Sequence, residues 1–226
     1  MKKNGKFTKR GVATKVMVMI LSLMLVVGLS VGGTIAWLTA ESGTVENTFT
    51  VGDITIDLKE HTLDDKGALT ETETTEWEYE HIIPGDELKK DPFVKVLANS
   101  EASIVFIKVI EKNNIDVKVS DTATEKALIY SVDQSWTALD GVKGVYYKNA
   151  AATGANASEP MYILTGNKVE VSDYVTKTDI TTMKKSVPGL YFMAAAIQSE
   201  NIDTTDMNAV YTQLPAAFVN YAGPTA

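Results

Sequence analysis

The stretch Val16–Leu58, VMVMILSLMLVVGLSVGGTIAWLTAESGTVENTFTVGDITIDL, contains three different sequence patterns in succession. Its first part is apolar and uncharged, and its middle part carries the small-residue sequence Gly-Gly-Thr-Ile-Ala. Its last part places apolar residues at every second position, at Ile54, Ile56 and Leu58. This period of two is typical of a half-buried β-strand. The stretch therefore predicts an export segment followed by the first strand of the domain.

The N-terminus has the organisation of a secretory signal peptide. Residues 1–15 carry six basic residues and no acid, and they precede the apolar core. Thr34 and Ala36 supply small residues at positions −3 and −1 of a cleavage site before Trp37. Residues 1–36 are thus predicted to be a signal peptide, removed by a signal peptidase, with residues 37–47 a mobile N-terminal segment of the mature chain.

A retained membrane anchor is the alternative for the same region. Residues 16–40 carry no charge and are long enough to cross a bilayer core of ~30 Å. The basic flank stays in the cytoplasm in either case, so the rest of the chain is expected outside the cell. Contact with the membrane is expected only through an uncleaved signal.

Composition limits the function of the mature chain. Six of the 21 basic residues lie in the signal, so cleavage leaves 15 basic residues against 29 acidic ones, a formal charge of −14. Such a surface is not expected to bind nucleic acid or an anionic membrane. The chain has no cysteine, which excludes disulfides, thiolate metal sites and a cysteine nucleophile. Residues 37–226 are long enough for a single secreted domain with its own core.

The mature chain contains many short apolar segments separated by turn residues. Ser103–Ile110 is apolar on both faces and is predicted to be a central strand, and Leu190–Gln198 is predicted to be a second buried strand. Pro84-Gly85 and Asp140-Gly141 are turn sequences, and the second is predicted to join the strands of a hairpin. Eight to ten strands of this kind predict a mostly β fold, an antiparallel jelly-roll-like β-sandwich.

One or two short peripheral helices are expected beside the strands. Thr178–Lys185 is predicted to be a brief helix. Asp203–Leu214 places four apolar residues on one helical face, with Asp203 or Thr204 as the cap and Pro215 at the end. Residues from Phe218 onward are predicted to be a tail.

No motif for catalysis is present. The two histidines, His61 and His81, have no partner at the spacing of a metal site and are predicted to be ordinary surface residues. The nucleophile elbow Gly-x-Ser-x-Gly and the phosphate-binding P-loop are both absent. The chain is therefore predicted to be neither an enzyme nor a binder of a cofactor or metal.

Several stretches, taken in order, resemble the TasA/camelysin family of exported proteins. The first block of the resemblance comprises GTIAWLT at Gly33–Thr39, NTFTVG at Asn47–Gly52 and ITI at Ile54–Ile56. The segment PGDEL at Pro84–Leu88, followed by Lys90-Asp91-Pro92, resembles the family's next motif. Its later strands are matched at Trp136-Thr137, Val145–Tyr147 and Ala196–Gln198.

The resemblance implies a jelly-roll domain that is exported by a Gram-positive bacterium after cleavage by a SipW-type signal peptidase. It also implies a structural protein of the extracellular or biofilm matrix that polymerises, or co-assembles with related matrix proteins. In fibre-forming members the segment freed by cleavage inserts into the next subunit as a donor strand. Here that segment is Leu38–Phe49, with Leu38, Val45 and Phe49 as its apolar residues. The strands at Ser103–Ile110 or Leu190–Gln198 are its expected acceptors.

Two other functions remain open. A monomeric cell-surface binding or adhesion module would use Trp77, Tyr79 and the loop Ala150–Glu159. A secreted hydrolase would need His61 or His81.

Overall fold

The computed structural model describes residues 54–75, 79 and 82–223, together with the backbone of residues 39–42. The predicted signal peptide and its cleavage residues Thr34, Ala36 and Trp37 lie outside these ranges. Within the described ranges the protein is mostly β, with 39% strand and 13% helix, and every strand pair is antiparallel. No helix in these ranges is long and apolar enough to cross a membrane.

The described residues form fourteen strands and three short α-helices. The strands are β1 (Thr39–Ser42), β2 (Ile56–Leu63), β3 (Leu69–Thr74), β4 (Glu87–Lys89), β5 (Phe93–Val96), β6 (Ser103–Lys112), β7 (Asp116–Lys118), β8 (Thr124–Lys126), β9 (Leu128–Ile129), β10 (Thr137–Ala138), β11 (Val145–Ala150), β12 (Met161–Tyr162), β13 (Lys168–Val171) and β14 (Gly189–Gln198). The helices are α1 (Lys177–Lys185), α2 (Met207–Tyr211) and α3 (Ala216–Val219), and a 3-10 turn covers Thr165–Asn167.

A five-stranded sheet with the order β1-β14-β6-β11-β10 is the centre of the fold. Strands β6 and β14 pair along their whole length, from Ser103 opposite Gln198 to Lys112 opposite Gly189. The expected central position of Ser103–Ile110 is therefore confirmed. The β10–β11 hairpin is also confirmed, and its turn residue Gly141 has the positive φ of 73° that the Asp-Gly sequence predicts.

A four-stranded sheet with the order β12-β5-β2-β3 lies against one face of the five-stranded sheet. Both sheets contribute to one hydrophobic core, in which the fully buried Val94 and Val96 of β5 belong to the same cluster as Val105 and Ile107 of β6. The mostly β, antiparallel part of the predicted fold is confirmed. The jelly-roll arrangement of these strands stays a prediction.

The opposite face of the five-stranded sheet is covered by the C-terminal helices. Val210 and Tyr211 of α2 and Phe218 of α3 pack with Phe106 in a second core. The helix predicted at Asp203–Leu214 is shorter than expected, since α2 covers only Met207–Tyr211. It is capped by Asp206, whose carboxylate accepts hydrogen bonds from two backbone N–H groups. The predicted tail is wrong at its start, because Phe218 is fully buried. The expected end at Pro215 is wrong, because α2 ends at Tyr211, and Pro215 instead precedes the first turn of α3.

A smaller core lies under α1 and contains Val117, Val171 and Met183. The predicted helix at Thr178–Lys185 is confirmed as α1, one residue longer at its start. Thr176 and Asp179 form a capping box at this end, which satisfies backbone N–H groups that have no partner within the helix.

Candidate functional site: the outer edge of strand β14

Strand β14 pairs on its outer side with a strand from the N-terminal part of the chain. The four residues of β1 run antiparallel to it, with Thr39 opposite Ile197 and Ser42 opposite Ala194. These four residues belong to the predicted donor segment Leu38–Phe49. The other donor residues named from the sequence, Leu38, Val45 and Phe49, lie outside the described residues.

The part of β14 opposite β1 is buried on both faces. Ala194 and Ala196 belong to the core between the two sheets, and Ala195 and Ile197 belong to the core under the helices. The three alanines have no exposed surface. Since the faces are covered by packing and the inner side is covered by β6, the outer edge is the only side of this segment where another strand can pair. The run of three alanines was the sequence signal for this close packing.

A cavity of about 770 Å³ lies beside the other half of β14. One wall consists of Gly189–Phe192 of β14, and another consists of Leu58–Glu60 of β2. The remaining described wall is mainly apolar or aromatic, with Tyr79, Ile82, Leu88, Pro92, Leu128, Val169, Val187, Pro188 and Tyr221, together with Thr75 and Lys90. The outer edge of β14 therefore passes from the ladder with β1 to this cavity.

An ion pair is buried in the cavity wall. Lys90 Nζ lies 2.7 Å from Glu60 Oε2, and the two side chains are only 11% and 9% exposed. The ammonium group also lies 5.7 Å from the ring centre of Tyr79 and 5.8 Å from that of Phe192. Tyr79 donates a hydrogen bond to the backbone carbonyl of Lys89. Burial, and then the negative charges of Glu60 and Asp91, raise the pKa of Tyr79.

A second polar pair, His61 and Asp91, directly follows Glu60 and Lys90 in the chain. His61 Nδ1 lies 2.6 Å from Asp91 Oδ2, and the His61 backbone N–H donates to Asp91 Oδ1 at 2.9 Å. The Asp91 side chain is 2% exposed and that of His61 is 19% exposed, with its ring against Phe93. The prediction that His61 is an ordinary surface residue is therefore wrong. Because the partners are far apart in sequence, no local pattern marks either pair. His81 lies outside the described residues.

Two of the three features named for a binding module, Tyr79 and the loop Ala150–Glu159, lie within the described residues. Tyr79 is half-buried in the cavity wall, and Trp77 lies outside the described residues. The loop Ala150–Glu159 is held in place at Thr153, whose hydroxyl donates to the carbonyl of Leu97 at 2.6 Å. Among the described residues no group of three or more carboxylate or histidine side chains is placed to hold a metal ion.

Trp136, which carries part of the family resemblance, has a structural role. Its indole is 5% exposed and packs in the core between the sheets, and Nε1 donates to the carbonyl of Tyr162 at 2.8 Å. This hydrogen bond links the β10–β11 hairpin region to β12 of the other sheet.

Comparisons with protein-family models, with curated proteins and with solved structures found no match for this chain. The resemblance to the TasA/camelysin family stays a prediction from the residues quoted above.

Proposed function

We propose that this protein is a secreted structural subunit of an extracellular or biofilm matrix. It assembles with further copies, or with related matrix proteins, by insertion of the segment Leu38–Phe49 of one subunit beside β14 of the next. The domain in this proposal is a jelly-roll, and a SipW-type signal peptidase frees the donor segment by cleavage before Trp37.

The observation that carries the proposal is the ladder between β1 and β14. Part of the donor segment, Thr39–Ser42, is paired there with Ala194–Ile197, which belongs to one of the two acceptor strands expected from the sequence. An edge that accepts this segment from its own chain has the backbone geometry to accept it from another chain. In β-augmentation of this kind, main-chain hydrogen bonds give the affinity and the register of side chains gives the specificity.

An uncovered β14 edge is unfavourable for a soluble protein. The segment Phe192–Ile197 is buried on both faces, so loss of its outer neighbour would leave backbone groups without partners beside an apolar core. Each ladder hydrogen bond contributes about 1 kcal/mol net. Four paired residues therefore supply a few kcal/mol at most, and a stable fibre needs further contacts.

The cavity supplies room for such contacts. Antiparallel pairing that continues past Ala194 runs along Met193 to Gly189, and four of these five residues line the cavity. In the register of the ladder, residues 43–47 of a neighbouring subunit would lie along this stretch, with the apolar Val45 opposite Tyr191. A contact between the N-terminal segment of one subunit and the β14 edge of the next is heterologous, so it does not close on itself and produces filaments.

The test uses the full chain expressed in a Gram-positive host and purified after processing. Its size is measured over a concentration series, with electron microscopy of the same samples. We expect filaments or a concentration-dependent ladder of oligomers, and we expect deletion of residues 38–47 to abolish the filaments, leaving at most the irregular association that an uncovered β14 edge permits. A deletion of the exposed loop residues 155–157 is the matched control and should assemble normally. Unchanged polymer after deletion of residues 38–47 would overturn the donor-strand assignment.

The cavity favours one second candidate, a monomeric surface module that binds a ligand there. Tyr79, Tyr191 and Phe192 offer aromatic surface to such a ligand. This alternative predicts a sharp monomer at every concentration of the processed protein. A monomer of that kind would count against the matrix proposal.

A further inference from the structure

We propose that the pairing of β1 with β14 in one chain is a self-closed state that restrains assembly until a neighbouring copy's segment replaces it. The inference rests on the proposed function, because it assigns a regulatory role to the same edge. It adds that the N-terminal segment is both the donor for the next subunit and the inhibitor of its own subunit.

The connection after β1 is long enough for both arrangements. Thirteen residues separate Ser42 from Ile56, and an extended chain of this length spans up to about 45 Å. Neighbouring strands in a sheet lie only about 5 Å apart. The connection is therefore long enough for the segment to pair with its own β14 and, after release, to reach another molecule.

The closed and exchanged states share the same backbone ladder, as in domain swapping. Their balance is therefore set by concentration and by contacts that exist only between subunits. A segment tethered to its own edge by a short connection has an effective concentration there on the order of 1 mM. When the protein concentration is about 1 μM, the effective concentration of the chain's own segment is about 1,000-fold higher than that of a neighbour's segment, so the closed monomer is favoured by that factor. Assembly should then start slowly and proceed from existing fibre ends, where additional contacts between subunits favour exchange.

Burial on β14 gives the closed state a protective role. Ala194, Ala195 and Ala196 have no exposed surface, and β1 covers the edge beside them. A monomer without β1 would present a buried strand with a free edge, which is a template for unspecific pairing. Self-closure covers this edge before assembly and keeps it available to a matching segment.

The experiment locks β1 in place with a disulfide. Ala40 is opposite Ala196, and antiparallel partners have Cα atoms about 4.5–5.5 Å apart, which suits a disulfide. The chain has no cysteine of its own, so Ala40→Cys with Ala196→Cys introduces the only two thiols. A second pair, Glu41→Cys with Ala195→Cys, covers the neighbouring position in the ladder. Both variants are checked for native thermal unfolding before use.

An off-register pair provides the control. Ala40→Cys with Ala194→Cys is two residues out of step, about 6.7 Å along the strand, which places the Cα atoms too far apart for a strain-free bridge. Oxidised monomers are compared on non-reducing gels, and fibre growth is followed by light scattering with and without reductant.

We expect the in-register pairs to form an intramolecular disulfide in the monomer and the off-register pair to form little. The oxidised in-register protein should assemble at least ~100-fold more slowly than the reduced protein, and reductant should restore the wild-type rate. Fibre seeds should shorten the lag of the reduced protein only. Disulfides exclusively between chains, or equal assembly of oxidised and reduced protein, would overturn the self-closed state alone. Absence of polymer from both the wild-type and the reduced protein would overturn the proposed function, and the inference would fall with it.

Discussion

Lys90 Nζ and Glu60 Oε2 lie 2.7 Å apart, with both side chains about nine-tenths buried in the wall of the cavity beside β14. The pair joins the middle of β2 to the segment before β5, and the ammonium group also packs on two aromatic rings. A buried charge with its partner removed is strongly destabilising, whereas an apolar replacement of both partners is often neutral.

Lys90→Met should therefore lower the free energy of unfolding by about 3–5 kcal/mol, because Glu60 would remain buried without its cation. Adding Glu60→Leu to Lys90→Met should recover most of the lost stability. Lys89→Met is the control, since Lys89 is about half exposed and its ion pair with Glu87 contributes little. Chemical denaturation of the four proteins measures the effect. A double variant as unstable as Lys90→Met would contradict this account of the pair.

Proline substitutions in β1 should have alternating effects on assembly. In an antiparallel ladder, successive residues point their N–H groups alternately toward the partner strand and away from it. Proline removes one of these donors. Of the two variants Ala40→Pro and Glu41→Pro, one should therefore lose much more polymer than the other. The yield of sedimentable polymer is the measurement, and equal yields from both variants would argue against a β-ladder at this position.

Gly144→Ala should be far more destabilising than Gly141→Ala. Both glycines have positive φ, 74° and 73°, so an alanine is strained to the same extent at either position. A Cβ on Gly144 would lie 2.5 Å from the backbone carbonyl oxygen of Val109, whereas a Cβ on Gly141 meets nothing within 4 Å. We expect Gly141→Ala to lower the free energy of unfolding by about 1 kcal/mol and Gly144→Ala to lower it several times more, as measured by thermal unfolding. Similar losses of stability for the two variants would show that a small backbone shift relieves the clash with the Val109 carbonyl oxygen.

The capping box of α1 should contribute to stability only above strongly acidic pH. Hydrogen bonds from the hydroxyl and then the backbone N–H of Thr176 lower the pKa of Asp179 from its ordinary value of 3.8. The pKa of Asp179 is thus lower in the folded state than in the unfolded state. The stabilisation that ionised Asp179 provides is therefore fully present above pH 3.8 and is lost as the pH falls through the lower folded-state pKa.

Asp179→Asn should therefore destabilise the protein by about 0.5–1 kcal/mol at neutral pH, near the low end for helix caps because Asp179 is exposed. The difference from wild type should disappear as the pH falls below 3.8 and through the lowered folded-state pKa. Denaturation curves from neutral to acidic pH provide the measurement, with Asp140→Asn as the control for loss of one exposed negative charge. A difference that persists at the lowest pH would contradict the assignment.

Much of the local structure was predictable from the residues themselves. The apolar segment at Ser103–Ile110, the Asp140-Gly141 hairpin and helix α1 all follow from patterns that span about ten residues or fewer. Such patterns reflect strand alternation, positive-φ turns and end-capping, each of which acts between neighbouring residues. The second helix was less well predicted, because Asp203, Thr204 and Asp206 are all residues that can cap a helix, and it is Asp206 that does so in the structure.

The amino-acid sequence by itself determined that the chain is mostly β, that its strands are short and antiparallel, and where several of its turns lie. The tertiary structure decided which distant segments meet. It paired Thr39–Ser42 with the alanine run of β14, buried Phe218 under the sheet, and brought Lys90 to Glu60. The physical reason is that these contacts join residues far apart in the chain, so their free energy depends on the packing of whole sheets and leaves no periodic trace in either segment alone.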